Sequence, residues 1–117
     1  MHELPVTKSI LDIVLRHAEA NGVEKVVAID LSIGALSDLE PEWIQSYFDH
    51  LSRDTPAHGA LLRVRRSPLT FRCKPCSREF TATREELAEA ACPECGSRDL
   101  SIVSGTGYTV ESMEVQS

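Results

Sequence analysis

All four cysteines of the chain lie in two Cys-x-x-Cys pairs, Cys73 with Cys76 and Cys92 with Cys95, separated by fifteen residues. The thiolates of such a turn point into one concavity, and two facing turns complete a tetrahedron of sulfur ligands. Gly96 follows the second pair, where the chain must turn and where glycine tolerates a positive φ. The spacing predicts a closed Cys₄ metal site. Zn²⁺ suits it best because this ion is borderline-soft and has no redox chemistry.

The same cysteines allow three other uses. Two structural disulfides are disfavoured because nothing at the N-terminus resembles a secretory signal. A thioredoxin-like redox site is disfavoured because it needs one Cys-x-x-Cys pair, and this chain has two. A rubredoxin-like iron site uses the same four ligands and stays open as an alternative to zinc.

The N-terminus offers a different kind of metal site. The amine of Met1 and the amide nitrogen of His2 close a five-membered ring on a metal, and that amide with His2 Nδ1 closes a six-membered ring. Three nitrogens then define most of a square plane, the geometry that Ni²⁺ and Cu²⁺ prefer. The fourth ligand stays open among the amide or carboxylate of Glu3, a loop acid such as Asp38 or Glu40, another histidine, and water. Such a site suits a protein that carries and releases a metal, because metal competes there with protons.

The composition limits the classes to which this protein can belong. A chain of 117 residues with 42% apolar and 26% charged residues is an ordinary globular protein of one domain or two small ones. No apolar run approaches the length of a membrane span, so a cytoplasmic protein without membrane partners is expected. We find no nucleophile–base pair and no phosphate-binding glycine loop, so the sequence does not predict an enzyme.

The net charge is −6, but residues 61–84 contain seven basic side chains against the single acid Glu79. We call this segment the basic strip; its cations are Arg63, Arg65, Arg66, Arg72, Lys74, Arg78 and Arg84. A basic strip beside a zinc ribbon allows an alternative function, a nucleic-acid- or protein-binding module. Nucleic acid is disfavoured because the acidic remainder repels phosphate and no aromatic residues interleave with the arginines.

The first half of the chain predicts two helices and two strands. Apolar residues recur at helical spacing over 4–21 and 41–53, which indicates amphipathic helices. Residues 25–33 alternate and predict a strand with one buried face, and residues 60–65 predict a strand with a basic outer face. Two amphipathic helices must cover a sheet, so these four elements are expected to form one packed body.

The second half predicts the metal module and a closing strand. Pro68 ends the preceding strand, and the module's elements are a strand at 79–83, one or two helical turns at 84–91 and a strand at 100–103. The glycine-containing stretch 104–107 is expected to be a hinge. The closing strand, 108–115, must pair with something, and we expect it to return to the first sheet.

The expected fold is therefore α+β, with two helices on a small mixed β-sheet and an inserted Cys₄ zinc-ribbon module. The corresponding domains are residues 1–68 plus 104–117, predicted to bind nickel, and residues 69–103, predicted to bind zinc.

The order of these motifs resembles the HypA/HybF family, the hydrogenase and urease nickel-insertion accessory proteins. The resemblance covers essentially the full length of the chain. It rests on Met1-His2-Glu3-Leu4 before a helix, Ser32-Ile33-Gly34, the two cysteine pairs, and the closing Glu111-Ser112-Met113-Glu114-Val115.

This resemblance implies a nickel metallochaperone. It assigns Ni(II) to His2 and the amine of Met1, with Glu3 assisting, and structural Zn(II) to the four cysteines. Glu40 is a further candidate nickel ligand from the residue chemistry above. It implies delivery to the large subunit of a [NiFe] hydrogenase, or to urease, together with the GTPase HypB. A homodimer is left open. Some members have histidines flanking the zinc cysteines, and this sequence has none there, which puts pH sensing by such residues in doubt.

Overall fold

The computed structural model describes residues 3–83 and 85–116. Within them, the elements in chain order are α1 (Glu3–Ala20), β1 (Lys25–Gly34), α2 (Pro41–Leu51), β2 (Leu61–Ser67), β3 (Leu69–Cys73), β4 (Glu79–Ala82), a 3₁₀ turn (Leu87–Glu89), β5 (Leu100–Ser104) and β6 (Tyr108–Gln116). The strands form two three-stranded sheets, ordered β2-β1-β6 and β4-β3-β5. The predicted fold class, two helices with small sheets and a cysteine module, is confirmed.

The chain divides into two compact units. Of the described residues, the first unit contains 3–32, 38–65 and 109–116, and the second contains 33–37 and 66–108. The first unit therefore holds both helices, and the second holds the β4-β3-β5 sheet and all four cysteines.

Helix α1 forms as the apolar spacing predicts. Its stripe of Ile10, Leu11, Val14 and Ala18 is buried, because residues three or four apart share one face of a helix. The helix ends before Gly22, which has a φ of +63°. Glycine adopts this left-handed conformation with the least steric strain because it has no Cβ.

Helix α2 packs against α1 with its own apolar face. Pro41 opens it at a position where a missing N–H costs nothing, and Ile44 and Phe48 are completely buried. Burying two side chains of this size contributes roughly 1.5–3 kcal/mol each, so the α1–α2 contact is a main part of the first unit's core.

Strand β1 differs from the single buried face expected of it. Ile29 and Leu31 are fully buried on one face, but Val26, Ala28 and Ser32 are buried on the other. β1 is the central strand of its sheet, between β2 and β6. Side chains of both neighbours therefore flank its second face, where Arg63 of β2 and Ser112 of β6 both reach Asp30.

The closing strand behaves as predicted. Strand β6 pairs beside β1, although the whole cysteine module lies between them in sequence. The basic outer face expected of β2 is also present, since Leu62 is buried while Arg63 and Arg65 are exposed. Buried and exposed side chains alternate in this way along a strand that has one solvent-exposed face.

In the second unit, β3 is the central strand and pairs antiparallel with β4 and with β5. Leu69 and Phe71 are buried, and the ring of Phe71 lies 5.7 Å from that of Phe80 across the β3–β4 pair. The helical segment predicted at 84–91 is shorter than expected, since only Leu87–Glu89 forms a 3₁₀ turn. Arg84, within that prediction, lies outside the described residues.

Three segments of the second unit cross with almost no space between their backbones. The N–H of Gly34 donates to the carbonyl of Gly107 at 2.7 Å, and the N–H of Ala35 donates to the carbonyl of Ser67 at 3.0 Å. A Cβ placed on Gly34 would come within 2.2 Å of the carbonyl carbon of Gly105. Only glycine fits at position 34. The crossing joins the end of β1 to the β2–β3 connection and to the β5–β6 connection.

Candidate metal centre

The four cysteine sulfurs converge on one point. Cys73 Sγ lies 3.4 Å from Cys95 Sγ, and Cys76 Sγ lies 3.5 Å from Cys92 Sγ. All four sulfurs are within 4.8 Å of one another. The predicted cysteine quartet is therefore assembled, with one sulfur of each pair buried and the other exposed.

The two cysteine turns have the same backbone geometry. The N–H of Ser77 donates to the Cys73 carbonyl at 2.7 Å, and the N–H of Gly96 donates to the Cys92 carbonyl at 2.9 Å. Ser77 and Gly96 both have positive φ, at +66° and +75°. The positive φ that the sequence predicts for Gly96 is thus confirmed. Its counterpart Ser77 adopts the same left-handed conformation at a steric cost.

The surroundings of the sulfurs set their protonation. Burial raises the pKa of the Cys73 thiol to about 12, because a thiolate there would lose its hydration. At Cys92 the backbone N–H of Cys95, helped by that of Glu94, lowers the pKa to about 6. A cation bound by the four sulfurs would supply the charge that Cys73 needs to become a thiolate ligand.

The distances fit a single tetrahedral metal. A Zn–S bond of about 2.3 Å separates the sulfurs of a regular tetrahedron by about 3.8 Å, close to the spacing seen here. A disulfide would need about 2.05 Å between two sulfurs, and all four cysteines are free. The sulfur spacing therefore favours a shared metal over disulfides. Four thiolates suit Zn²⁺, and a shell of four sulfurs leaves no position for catalysis.

The predicted nickel site falls mainly on Met1 and His2, which lie outside the described residues. The structure does describe Glu3, which is the first residue of α1 and only 8% exposed. Its Oε2 accepts a hydrogen bond from the backbone N–H of Glu40 at 3.0 Å, which lowers the pKa of the Glu3 carboxyl group. Two residues separated by 37 positions are thereby joined at the start of both helices.

Beside this contact the first unit has a cleft of about 480 Å³ that the sequence reasoning missed. Its walls include the acids Asp38 and Glu40 and the aromatic residues Trp43 and Tyr47, whose ring centroids are 6.1 Å apart. Trp43 is 57% exposed. It is also the only tryptophan of the chain and lies off the apolar stripe of α2, and that position was the signal available in the sequence.

The basic strip is neutralised by tertiary contacts. Asp30, on the central strand, accepts from Arg63 at 2.8 Å and from the Ser112 hydroxyl at 2.7 Å. Arg65 pairs with Glu111 at 2.7 Å. The remaining ion pairs are Arg63–Glu114, Arg72–Glu79, Lys74–Asp99 and Arg78–Glu94.

Arg66 donates to the carbonyls of Gly34 and Ser37. Arg84 lies outside the described residues. Across the part of the chain that the structure describes, the strip therefore does not form a free cationic face, and the nucleic-acid alternative loses its main support.

Among the described residues, neither helix combines the length and the apolar character that crossing a lipid bilayer requires.

The fold and the four sulfurs define a small α+β metal-binding protein. A family model described as "Hydrogenase/urease nickel incorporation, metallochaperone, hypA" matches residues 1–115. The chain belongs to this HypA/HybF family of nickel metallochaperones that act in hydrogenase maturation.

Individual relatives agree with this assignment. The hydrogenase maturation factor HypA of Dehalococcoides mccartyi is 35% identical over 115 residues, which are 98% of this chain and 94% of the relative. HybF of Klebsiella pneumoniae is 37% identical over 114 residues, covering 97% and 98% of the two chains. The solution structure of the Ni metallochaperone HypA from Helicobacter pylori superposes with a TM-score of 0.75 at 25% identity, covering 98% of this chain and 97% of that one.

Proposed function

We propose that this chain binds Ni(II) at its N-terminal Met1-His2-Glu3 and delivers it during maturation of a [NiFe] hydrogenase or of urease. The observation that carries the proposal is the family match over residues 1–115, which includes the His2 motif. The ligands are the amine of Met1 and the amide and Nδ1 nitrogens of His2, a set that favours square-planar Ni²⁺.

Glu3 assists this site from the start of α1. One of its carboxylate oxygens already accepts the Glu40 amide, which favours the Glu3 backbone nitrogen among the candidates for the fourth ligand. The same hydrogen bond holds the backbone of Glu40 against the Glu3 side chain, so Glu40 is the second candidate.

The cysteine quartet holds structural Zn(II). In this proposal residues 69–103 form the zinc-binding domain, and residues 1–68 with 104–117 form the nickel-binding domain. The role of zinc is to fold its own module and to present a docking surface, because a closed four-sulfur shell has no exchangeable position. Purified protein is expected to contain one zinc per chain and to be colourless, whereas the iron alternative gives red protein.

The proposed mechanism is ligand exchange in the cytoplasm and not catalysis. Docking to the GTPase HypB, or to the hydrogenase large subunit, replaces the N-terminal nitrogens by ligands of the receiving protein. Neither a membrane nor a nucleic acid is a partner in this proposal.

A calorimetric Ni²⁺ titration tests the N-terminal site. The native protein is compared with His2→Ala, with a variant carrying one extra residue before Met1, and with His17→Ala as a control histidine that is exposed on α1. We expect nickel affinity to fall at least tenfold in the first two variants and to stay unchanged in the control. Equal affinity in all four proteins would disprove the site.

A further inference from the structure

The cleft at the start of α2 has features that nickel binding does not require. Its lining includes the apolar residues Leu4 and Pro5 of α1 and the aromatic residues Trp43 and Tyr47 of α2. A tryptophan that is 57% exposed buries little surface in the folded chain. Exposed aromatic side chains of this kind are enriched where proteins bind partners.

The charge of the cleft selects the kind of partner. Among the described residues that line it, three are acidic and none is basic. The side chains of Asp38 and Glu40 are exposed beside the aromatic pair, while the Glu3 carboxylate holds the Glu40 amide. The N-terminus of α2 contributes only about half a positive charge, less than the two negative charges of the exposed carboxylates Asp38 and Glu40.

Aromatic faces and carboxylates have one ligand in common. A guanidinium or ammonium group is attracted to the face of a tryptophan or tyrosine ring and forms ion pairs with carboxylates. We propose that this cleft binds an arginine or lysine side chain presented by a protein partner, with the aromatic pair as its platform and Asp38 and Glu40 as its counter-charges. The net charge of −6 favours the approach of such a partner. This surface goes beyond the proposed nickel site, shares its candidate ligands Asp38 and Glu40, and can be tested without nickel.

A nuclear magnetic resonance titration without nickel tests the proposal. The probe is the peptide acetyl-Gly-Arg-Gly-Arg-Gly-amide, and the controls are the same peptide with lysine or with citrulline, which keeps the shape of arginine without its charge. We expect saturable shifts of the Trp43 indole N–H and of the backbone amides near Asp38 with both cationic peptides. The citrulline peptide should bind at least about fivefold more weakly. Equal binding of all three peptides, or shifts located elsewhere, would overturn the proposal.

Charge-matched variants distinguish this cleft from general attraction to an acidic protein. Asp38→Asn is expected to weaken the arginine peptide about three- to tenfold. Glu42→Gln removes the same charge from an exposed position on α2 outside the cleft and should leave binding unchanged. Equal losses in the two variants would reduce the effect to net charge and contradict a specific site.

Trp43→Leu separates this surface from the nickel site. It should abolish the peptide-induced shifts and leave nickel affinity at the native value, whereas His2→Ala should do the reverse. If the peptide still binds Trp43→Leu as tightly as the native protein, the aromatic platform is refuted. Sedimentation of the native protein over a range of concentrations tests the other occupant, a second copy of this chain; self-association that Trp43→Leu abolishes would replace the proposal.

Discussion

The two units of this protein are stabilised by different means. Among the described residues, fourteen of the nineteen buried apolar side chains belong to the first unit, including Ile10, Ile29 and Phe48. The second unit has five, and two of these are the cysteines Cys73 and Cys92. We therefore expect the first unit to fold on hydrophobic burial and the second to depend on a metal at the cysteine quartet.

Typical free energies of side-chain burial and of zinc binding support this contrast. The three buried non-cysteine side chains of the second unit contribute roughly 1.5–3 kcal/mol each. Structural zinc contributes about 10–16 kcal/mol of apparent binding free energy in small peptides. The metal is thus the largest single stabilising contribution expected in the second unit. A site bound that tightly would release its metal slowly, which is a reason to propose a separate site for cargo nickel.

The largest expected effect is that of removing the metal. Stripping zinc with a chelator should unfold the second unit, so that the amide resonances of β3 and β5 lose their dispersion, while those of α1 and α2 remain. Heteronuclear NMR spectra before and after chelation measure this. The contrast between the units fails if the β3 resonances stay dispersed in protein shown to be free of metal.

The reverse experiment removes core volume from the first unit. Phe48 is completely buried, so Phe48→Ala should lower the free energy of unfolding of that unit by about 3–5 kcal/mol. The cysteine quartet should still bind one metal, measured with Co²⁺ by its thiolate absorption. Leu61→Ala is the matched control, because Leu61 is 58% exposed and should change stability by about 0.5 kcal/mol or less. Loss of the metal site in Phe48→Ala would show that the second unit needs the core of the first.

A smaller effect is expected at the backbone crossing of the second unit. Gly34→Ala places a methyl group within 2.2 Å of Gly105 and 2.6 Å of Thr106, both backbone contacts that cannot rotate away. We expect a loss of about 1–3 kcal/mol, measured by urea unfolding of the second unit. Gly107→Ala, with nothing within 4 Å of the added methyl group, should cost much less. Equal losses of stability in the two variants would mean that position 34 needs the backbone flexibility of glycine and not its small size.

The smallest effect concerns Glu3 and pH. The Glu40 N–H holds the pKa of the Glu3 carboxyl group below its ordinary 4.5. The ionised carboxylate therefore stabilises the first unit above that pH, and this contribution is lost as the pH falls through the lower pKa of the folded chain. In thermal unfolding followed on helix signals, Glu3→Gln should show a shallower loss of stability in acid than the native protein. Glu42→Gln, an exposed acid on α2, should follow the native profile; parallel profiles for Glu3→Gln would contradict the role of this hydrogen bond.

The sequence alone determined the local features of both units. Helical spacing predicted α1 and α2, because their buried stripes lie within one short segment each, and alternation predicted the exposed face of β2. The two Cys-x-x-Cys pairs predicted the metal quartet, since a metal with four thiolate ligands constrains spacing as well as residue type. The Met1-His2-Glu3 motif and its nickel chemistry stay predictions, because Met1 and His2 lie outside the described residues.

Tertiary structure decided what depends on residues distant in the chain. The basic strip looked like a free positive surface because its partners Asp30 and Glu111 lie 33 and 46 residues from their arginines. The central position of β1 decided that side chains of both neighbouring strands flank the face that carries Asp30. The Glu3–Glu40 hydrogen bond and the acidic aromatic cleft beside Trp43 exist only because α1 and α2 begin side by side. Sequence periodicity reports the environment along one element, whereas charge pairing and clefts depend on which elements fold together.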